Sequence, residues 1–383
     1  VNEQAASGQV AIRGYAAGTS GYAYAYDQAT GQMLWDFMTV EQGFWGNPGV
    51  NAGGGIWYPP AIDTNTGMSY WGTGNPAPFP GTTQYPNGTS RPGPNLYTNS
   101  ILALDNTGKL VWYNQVLPHG LFDHDFQVSR LLATATINGQ PRDIVIGSGK
   151  VGKVVAFDRQ TGDIVWDIDV GDHMNDDVGA IEPLTQTIEV LPGVYGGVET
   201  PMAMADGVLY VPVVNLPTEY NATAFGATNG TEAVNNAEAR TDVSKATSEL
   251  VAIDINTGEF LWSTDLPAAD FGGATVVNDL VFTSTFDGTI YAINRQDGSI
   301  AWTYKSPAGI NAWPAVAGDT IIFPAGAGNN PMLIALRLGA TGTLPTPAPT
   351  SAAGTGTPST TTTAGTPTTA NTPMTETTPT TVA

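Results

Sequence analysis

The sequence predicts an all-β protein, a β-propeller built from repeated four-stranded units and followed by a disordered Thr/Pro-rich tail. Three observations predict it. One strand–turn–strand motif recurs five times. The chain holds 46 glycines and 28 prolines, a content that favours short strands and turns. No segment sustains the 3.6-residue apolar period of a helix.

The five copies run Ala25–Trp35, Ala103–Trp112, Ala156–Trp166, Ala252–Trp262 and Ala292–Trp302. Each reads as a strand of alternating small and apolar residues, a turn opened by Asp or Asn and closed by Gly, and a strand ending on Trp. The acidic or amide residue can bond its own backbone, and the glycine supplies a positive φ. A further strand precedes most copies, as in Leu280–Phe286 before Asp287-Gly288. Successive turn residues Asp27, Asp105, Asp158, Asp254 and Asn294 lie 78, 53, 96 and 40 residues apart. Uneven spacing around a constant unit means insertions in loops on one face. Units of about 40–50 residues with four strands are propeller blades. The closing tryptophans are expected to pack between neighbouring blades. A β-sandwich would need coincidental repeats, and a β-helix shorter and more regular ones.

The tail is compositional. From Thr341 to Ala383, threonine and proline dominate and Glu376 is the only charge. Such a segment has nothing to bury and reads as an extended stalk suited to O-glycans. Asn87, Asn221 and Asn229 each begin an N-x-Thr sequon. Residues 1–340 are therefore expected to form the propeller and 341–383 the stalk of a secreted or cell-surface protein. An anchor would come from a further C-terminal segment. Among its 383 residues the chain has 13 Lys+Arg against 34 Asp+Glu, a net charge of −21. That field disfavours a nucleic-acid partner or an anionic membrane surface and suits a salty or extracellular setting. No run of about 18 apolar residues exists to form a membrane span. The absence of cysteine removes disulfides, thiolate nucleophiles, zinc clusters and iron–sulfur sites.

Some motifs are decoys. Gly147-Ser-Gly149-Lys-Val-Gly152 has the form GxGxxG, but a strand–turn–strand follows where a dinucleotide loop needs a helix. The acidic stretch Asp172–Asp177 fits no calcium-loop spacing and reads as a solvated loop. The segments between the early repeats are different. Gly53-Gly-Gly55-Ile-Trp57 pairs crowding glycines with a flat aromatic face, and Thr73-Gly-Asn75-Pro-Ala-Pro78 and Pro118-His-Gly-Leu-Phe-Asp123-His-Asp125 offer oxygen ligands. Asp123 and Asp125, placed on a strand, would point to one side about 6–7 Å apart. The cluster is either a cation site or an acidic loop.

In order and spacing, these segments resemble the quinoprotein alcohol dehydrogenases, the methanol-dehydrogenase-like enzymes that use pyrroloquinoline quinone (PQQ). The family motifs GGG-x-x-W, TGN-P-x-P, P-H-x-x-W-D-Y and K-N-G-x-x-Y-x-x-D-R-x-x-G have counterparts at Gly53–Trp57, Thr73–Pro78, Pro118–Asp123 and Lys150–Gly162. The resemblance implies an eight-bladed propeller with quinone and metal on its axis, about six blades being present. The chain is then expected to be part of a longer product, incomplete at its N-terminal side. By the same resemblance Trp57 and Gly55 face the quinone and Lys150 contacts its oxygens. Asp123 is the catalytic base and, with Asn75, a metal ligand. Asp125 resembles the extra carboxylate of lanthanide-using members, so the metal is calcium or a lanthanide.

The chain also departs from the pattern. The family's metal-binding Glu falls on Gln9, which ligates without charge. A pocket tryptophan falls on Phe271, an Asn-Trp pair on Glu199-Thr200, and the cysteine pair over the quinone is missing. The expected activity is PQQ- and metal-dependent alcohol oxidation, with a cytochrome or blue-copper electron acceptor. The alternative is a non-catalytic PQQ-repeat propeller acting as a surface scaffold or binding module.

Overall fold

A computed structural model describes residues 17–82, 84–181, 187–221, 241–328 and 331–340. Compactness divides the chain into Val1–Thr341 and Gly342–Ala383. The stalk, Gln9 and Asn229 lie outside the described residues.

Among the described residues eight antiparallel sheets form, and six of them follow one another along the chain as blades; the other two are short pairings in the loops, Ala52–Gly53 with Pro76–Ala77 and Thr187–Val190 with Thr218–Asn221. The first blade pairs Tyr22–Tyr26 with Met33–Met38. Four-stranded sheets follow, with central strands Met68–Gly72 and Ser100–Leu104, Gln140–Ser148 and Lys153–Asp158, Val208–Asn215 and Thr247–Asp254, and Leu280–Ser284 and Thr289–Asn294. The sixth holds Ala315–Ala317, Thr320–Ala325 and Met332–Arg337. These are the blades expected from the repeat. Among the described residues helix is confined to the short turns Phe44–Gly46 and Val243–Lys245, and no helix is long and apolar enough to cross a membrane.

The motif builds the same hairpin in five blades. Asp158 shows how: its carboxylate accepts from the Gln160 and Thr161 amides, and the Gly162 amide, at φ 76°, returns to the Asp158 carbonyl. A bulge falls at the same register after Ala25, Ala103, Ala156, Ala252 and Ala292. The closing tryptophans then lock blade to blade. The indole N–H of Trp35, Trp112, Trp166 and Trp262 donates to the carbonyl of Asn106, Arg159, Ile255 and Arg295 in the next blade, at 2.9–3.1 Å. Each ring also fills the space beside that blade's turn glycine, so a Cβ on Gly108, Gly162, Gly258 or Gly298 would meet it at 3.0 Å or less. Four of the five tryptophans thus stand between blades as the repeat predicts. Trp302, in the fifth copy, is 43% exposed.

The core lies between the blades rather than within one. Ile144, Ile146 and Val154 of the third sheet pack on Leu209, Val211 and Val251 of the fourth. Leu250 and Ala252 in turn meet Val281 and Ile293 of the fifth. Burying alternate faces of successive sheets is what converts a weak repeat into a stable array.

Candidate active site

The site forms where three loops between strands cross. The first is the glycine run. Ala52–Gly53 pairs with Pro76–Ala77, the Gly54 amide donates to the Asn75 carbonyl, and the Gly74 amide donates to the Gly55 carbonyl. A Cβ on Gly53 would stand 2.6 Å from the Asn75 carbonyl oxygen, and one on Gly21 would stand 2.0 Å from that of Gly54. Only glycine permits this approach, and it carries Trp57 to the Asn75 loop with its ring 51% exposed.

The second loop runs through Asp123 and Asp125. A bridge between Thr73 and Phe126 sets it beside the first, and the Asn75 amide donates to Asp125 Oδ1 at 2.6 Å. Asp123 and Asp125 lie on an irregular segment, not on the strand expected from their spacing. Their carboxylates nevertheless converge, because Lys150 draws both to one point. Its Nζ stands 2.9 Å from Asp123 Oδ2 and 3.3 Å from Asp125 Oδ2. Lys150 comes from the third loop, the turn between strands Gln140–Ser148 and Lys153–Asp158. A Cβ on Gly149 would collide with the Asp125 carbonyl. The glycines of the GxGxxG decoy therefore serve close packing, and the strand that follows excludes a dinucleotide loop. Lys150 Nζ also lies 5.2 Å from the Trp57 ring centroid.

Glu199 is a fourth acidic or amide group in this region. Its carbonyl accepts from the Tyr58 hydroxyl at 2.6 Å, and its buried Oε1 has no hydrogen-bond partner. Burial pushes the Glu199 carboxyl up to about 8, against the attraction of Lys150. Burial likewise raises Asp125 to about 6, with Lys150 opposing. For Lys150, burial acts to lower the pKa, but Asp123, Asp125 and Glu199 together outweigh it and hold it well above an ordinary lysine. One ammonium thus holds a cluster of buried carboxyl groups.

The structure brings together Gly55, Trp57, Asn75, Asp123, Asp125 and Lys150. Gln9 lies outside the described residues. Phe271 has its ring against Phe286 in a T-shaped pair with centroids 5.8 Å apart, in an apolar cluster with Val214, Leu216, Ala246 and Ala269. Its loop still reaches the Glu199 segment, since the Ala274 amide donates to the Pro201 carbonyl. The residues read from the sequence did not include two buried arginines that flank the acidic loop. Arg91 bonds the Gly120 carbonyl, and Arg130 bonds the Phe126 and Val128 carbonyls and covers the Phe126 ring. The available signal was that Arg91 is the only charged residue between Asp63 and Asp105.

The donor set fits a hard cation. Asp123 and Asp125 supply carboxylate oxygens. Asn75 Nδ2 donates to the Pro76 carbonyl at 3.0 Å, leaving Oδ1 as the amide's acceptor. Among the described residues, no three His, Cys, Asp or Glu side chains converge as a metal cage. The Lys150 ammonium already sits where two carboxylates meet, a place built for positive charge. The open face of Trp57 beside that ammonium fits a planar, oxygen-bearing ring.

The family described as "Glucose/ethanol/alcohol dehydrogenase, beta-propeller domain" matches residues 5–187, and that described as "Outer membrane protein assembly factor BamB" matches residues 222–372. The chain is 27% identical over 350 residues to the quinohemoprotein alcohol dehydrogenase of Comamonas testosteroni, covering 79% of this chain and 49% of that protein. It is 24% identical over 351 residues to methanol dehydrogenase [cytochrome c] subunit 1 of Methylorubrum extorquens, covering 78% and 55%. The chain thus spans about half the length of the curated relatives it matches. The crystal structure of the Comamonas testosteroni enzyme matches with a TM-score of 0.70 at 23% identity, over 86% of this chain and 58% of that one. A europium-containing methanol dehydrogenase matches with a TM-score of 0.64 at 20% identity, over 81% and 62%. Repeat, blades and relatives converge: residues 5–187 match the PQQ β-propeller domain, and the chain as a whole is similar to quinohemoprotein alcohol dehydrogenases.

Proposed function

We propose that the chain carries the alcohol-oxidising site of a PQQ- and metal-dependent dehydrogenase, with Asp123 as general base. The observation that carries this reading is the convergence of Asp123 and Asp125 on Lys150 beside the open face of Trp57. When bound, the quinone supplies a two-electron acceptor for the hydride of the alcohol carbon, and a calcium or lanthanide ion supplies Lewis acidity. Trp57 and Gly55 would provide the floor for the quinone, and Lys150, which orients the two carboxylates, would present its ammonium to it. Asn75, Asp123 and Asp125 would hold the cation. Asp123, 8% exposed against 3% for Asp125, would take the hydroxyl proton of the alcohol. The electron acceptor would be a cytochrome or blue-copper protein. The setting is extracytoplasmic, the propeller occupies residues 1–340, and the stalk occupies 341–383.

The test incubates the chain with PQQ and calcium or lanthanum and follows dye-coupled alcohol oxidation, comparing Asp123→Asn. Loss of turnover with an unchanged fold supports the reading. Undiminished turnover in the variant removes Asp123 from the mechanism. One observation favours a scaffold or binding module instead: the Lys150 ammonium pairs with both carboxylates and itself occupies the point where they converge. A chain that takes up neither quinone nor cation would make that alternative the default reading.

A further inference from the structure

We infer that Arg91 is a positioning residue for the site, a guanidinium clamp that sets the separation between the Asn75 loop and the Asp123–Asp125 loop. The inference rests on the cation-binding reading above and adds a residue to it.

Arg91 is fully buried, and among the described residues no carboxylate lies within ion-pair distance of it. Its bonds go to three loop acceptors instead. Nε donates to the Pro78 carbonyl at 3.2 Å, Nη2 to the Gly120 carbonyl at 2.8 Å, and Nη1 to Asn95 Oδ1 at 2.7 Å. Pro78 follows Asn75 on the first loop, and Gly120 precedes Asp123 on the second. On the far side, the Asn75 amide bonds Asp125 Oδ1. The two loops are therefore tied twice, once at the carboxylate and once at the guanidinium, and the ties close a ring around Asn75, Asp123 and Asp125.

The clamp is itself held. Asn95 returns its Nδ2 to the Arg91 carbonyl at 2.9 Å and its backbone amide to the Pro118 carbonyl at 2.8 Å. Gly88, at φ 65°, lies against it: a Cβ there would stand 3.2 Å from the guanidinium and 3.0 Å from His119 Nε2, a tight fit in a backbone conformation that favours glycine. Burial pushes the guanidinium down to about 9, the cost of enclosing a charge without a counter-ion. A group held at that cost, bonded to the roots of both ligand loops, is placed to control their spacing. Only the planar fork of arginine reaches three acceptors in fixed directions; a lysine ammonium does not.

The test compares the chain with Arg91→Lys, without quinone, by hydrogen–deuterium exchange and by terbium(III) titration read through tryptophan-sensitised luminescence. We expect amides of residues 73–78 and 118–126 to exchange about 10-fold faster in the variant. Residues 247–266 of the fourth blade should keep their protection, and terbium should bind about 10-fold more weakly, as when groups orienting metal ligands are lost. Trp262→Phe, which loosens a blade contact, should leave terbium affinity unchanged. Faster exchange confined to residues 88–97, or spread over the whole chain, overturns the inference, as does wild-type terbium affinity in Arg91→Lys. If the wild-type chain binds no terbium while the two loops loosen selectively, the clamp stands and the cation reading fails. Should Arg91→Lys not fold, Asn95→Ala, which frees the guanidinium without altering it, gives the same comparison.

Discussion

Asp270 makes the stability of this propeller pH-dependent in a direction opposite to most surface carboxylates. It is fully buried, and both its oxygens accept from the Thr283 hydroxyl, at 2.7 and 2.6 Å. Oδ1 also takes the Gly272 amide at 3.1 Å, and no cation pairs with it among the described residues. Burial raises its pKa from 3.8 to about 7, more than these hydrogen bonds lower it. The folded state therefore favours the protonated acid. The contribution is fully present below pH 3.8 and is lost as the pH rises through about 7. A gap of about three pH units corresponds to about 4 kcal/mol. Asp270→Asn keeps an acceptor for Gly272 and Thr283 and removes the ionisation, at about 1 kcal/mol for an imperfectly paired amide N–H. The variant should thus be about 1 kcal/mol less stable than wild type near pH 4 and roughly 3 kcal/mol more stable above pH 7. Urea unfolding from pH 4 to 8, monitored by tryptophan fluorescence, reads the difference and cancels every other titrating group. Parallel wild-type and variant curves would refute the argument.

Two further outcomes follow from the same physics. Lys150→Met removes the shared partner of Asp123 and Asp125 and should cost about 3–5 kcal/mol at pH 7, since it strands buried charge. Because Asp125 already sits near 6 and would rise further, that cost should shrink at pH 5, and equal destabilisation at both pH values in urea unfolding would contradict it. Trp166→Phe keeps an aromatic ring against Gly258 but loses the 2.9 Å bond to the Ile255 carbonyl, for about 1 kcal/mol plus the smaller ring. A calorimetric midpoint unchanged from wild type would show that the indole bond contributes nothing to blade docking.

Some of this protein is local in the chain and some is not. The hairpins are local: an Asp or Asn bonding amides two or three residues on, with a glycine at positive φ, needs no neighbour to form, so five copies could be read directly as five blades. The tryptophans were legible for the same reason, and four of the five rings pack against the turn of the next blade, Trp302 being the exception. Asp123, Asp125, Asn75, Trp57 and Lys150 were legible as a set only through the family resemblance, since nothing in their spacing says that three loops cross. Spacing placed the two aspartates on a strand, and tertiary structure put them on an irregular segment where Lys150 aligns them. Glu199 shows the same limit. A glutamate in the sequence reads as a charged surface group, yet enclosure beside Lys150 raises it to about 8. Arg91 likewise reads as a loop cation, whereas its three acceptors come from residues 78, 95 and 120. The chain alone determined the repeat, the blades and the acidic character, because each depends on neighbours within a few residues. The shared ammonium, the raised carboxyls and the clamp were decided only by folding, because burial and long-range carbonyl partners exist only once the blades have docked.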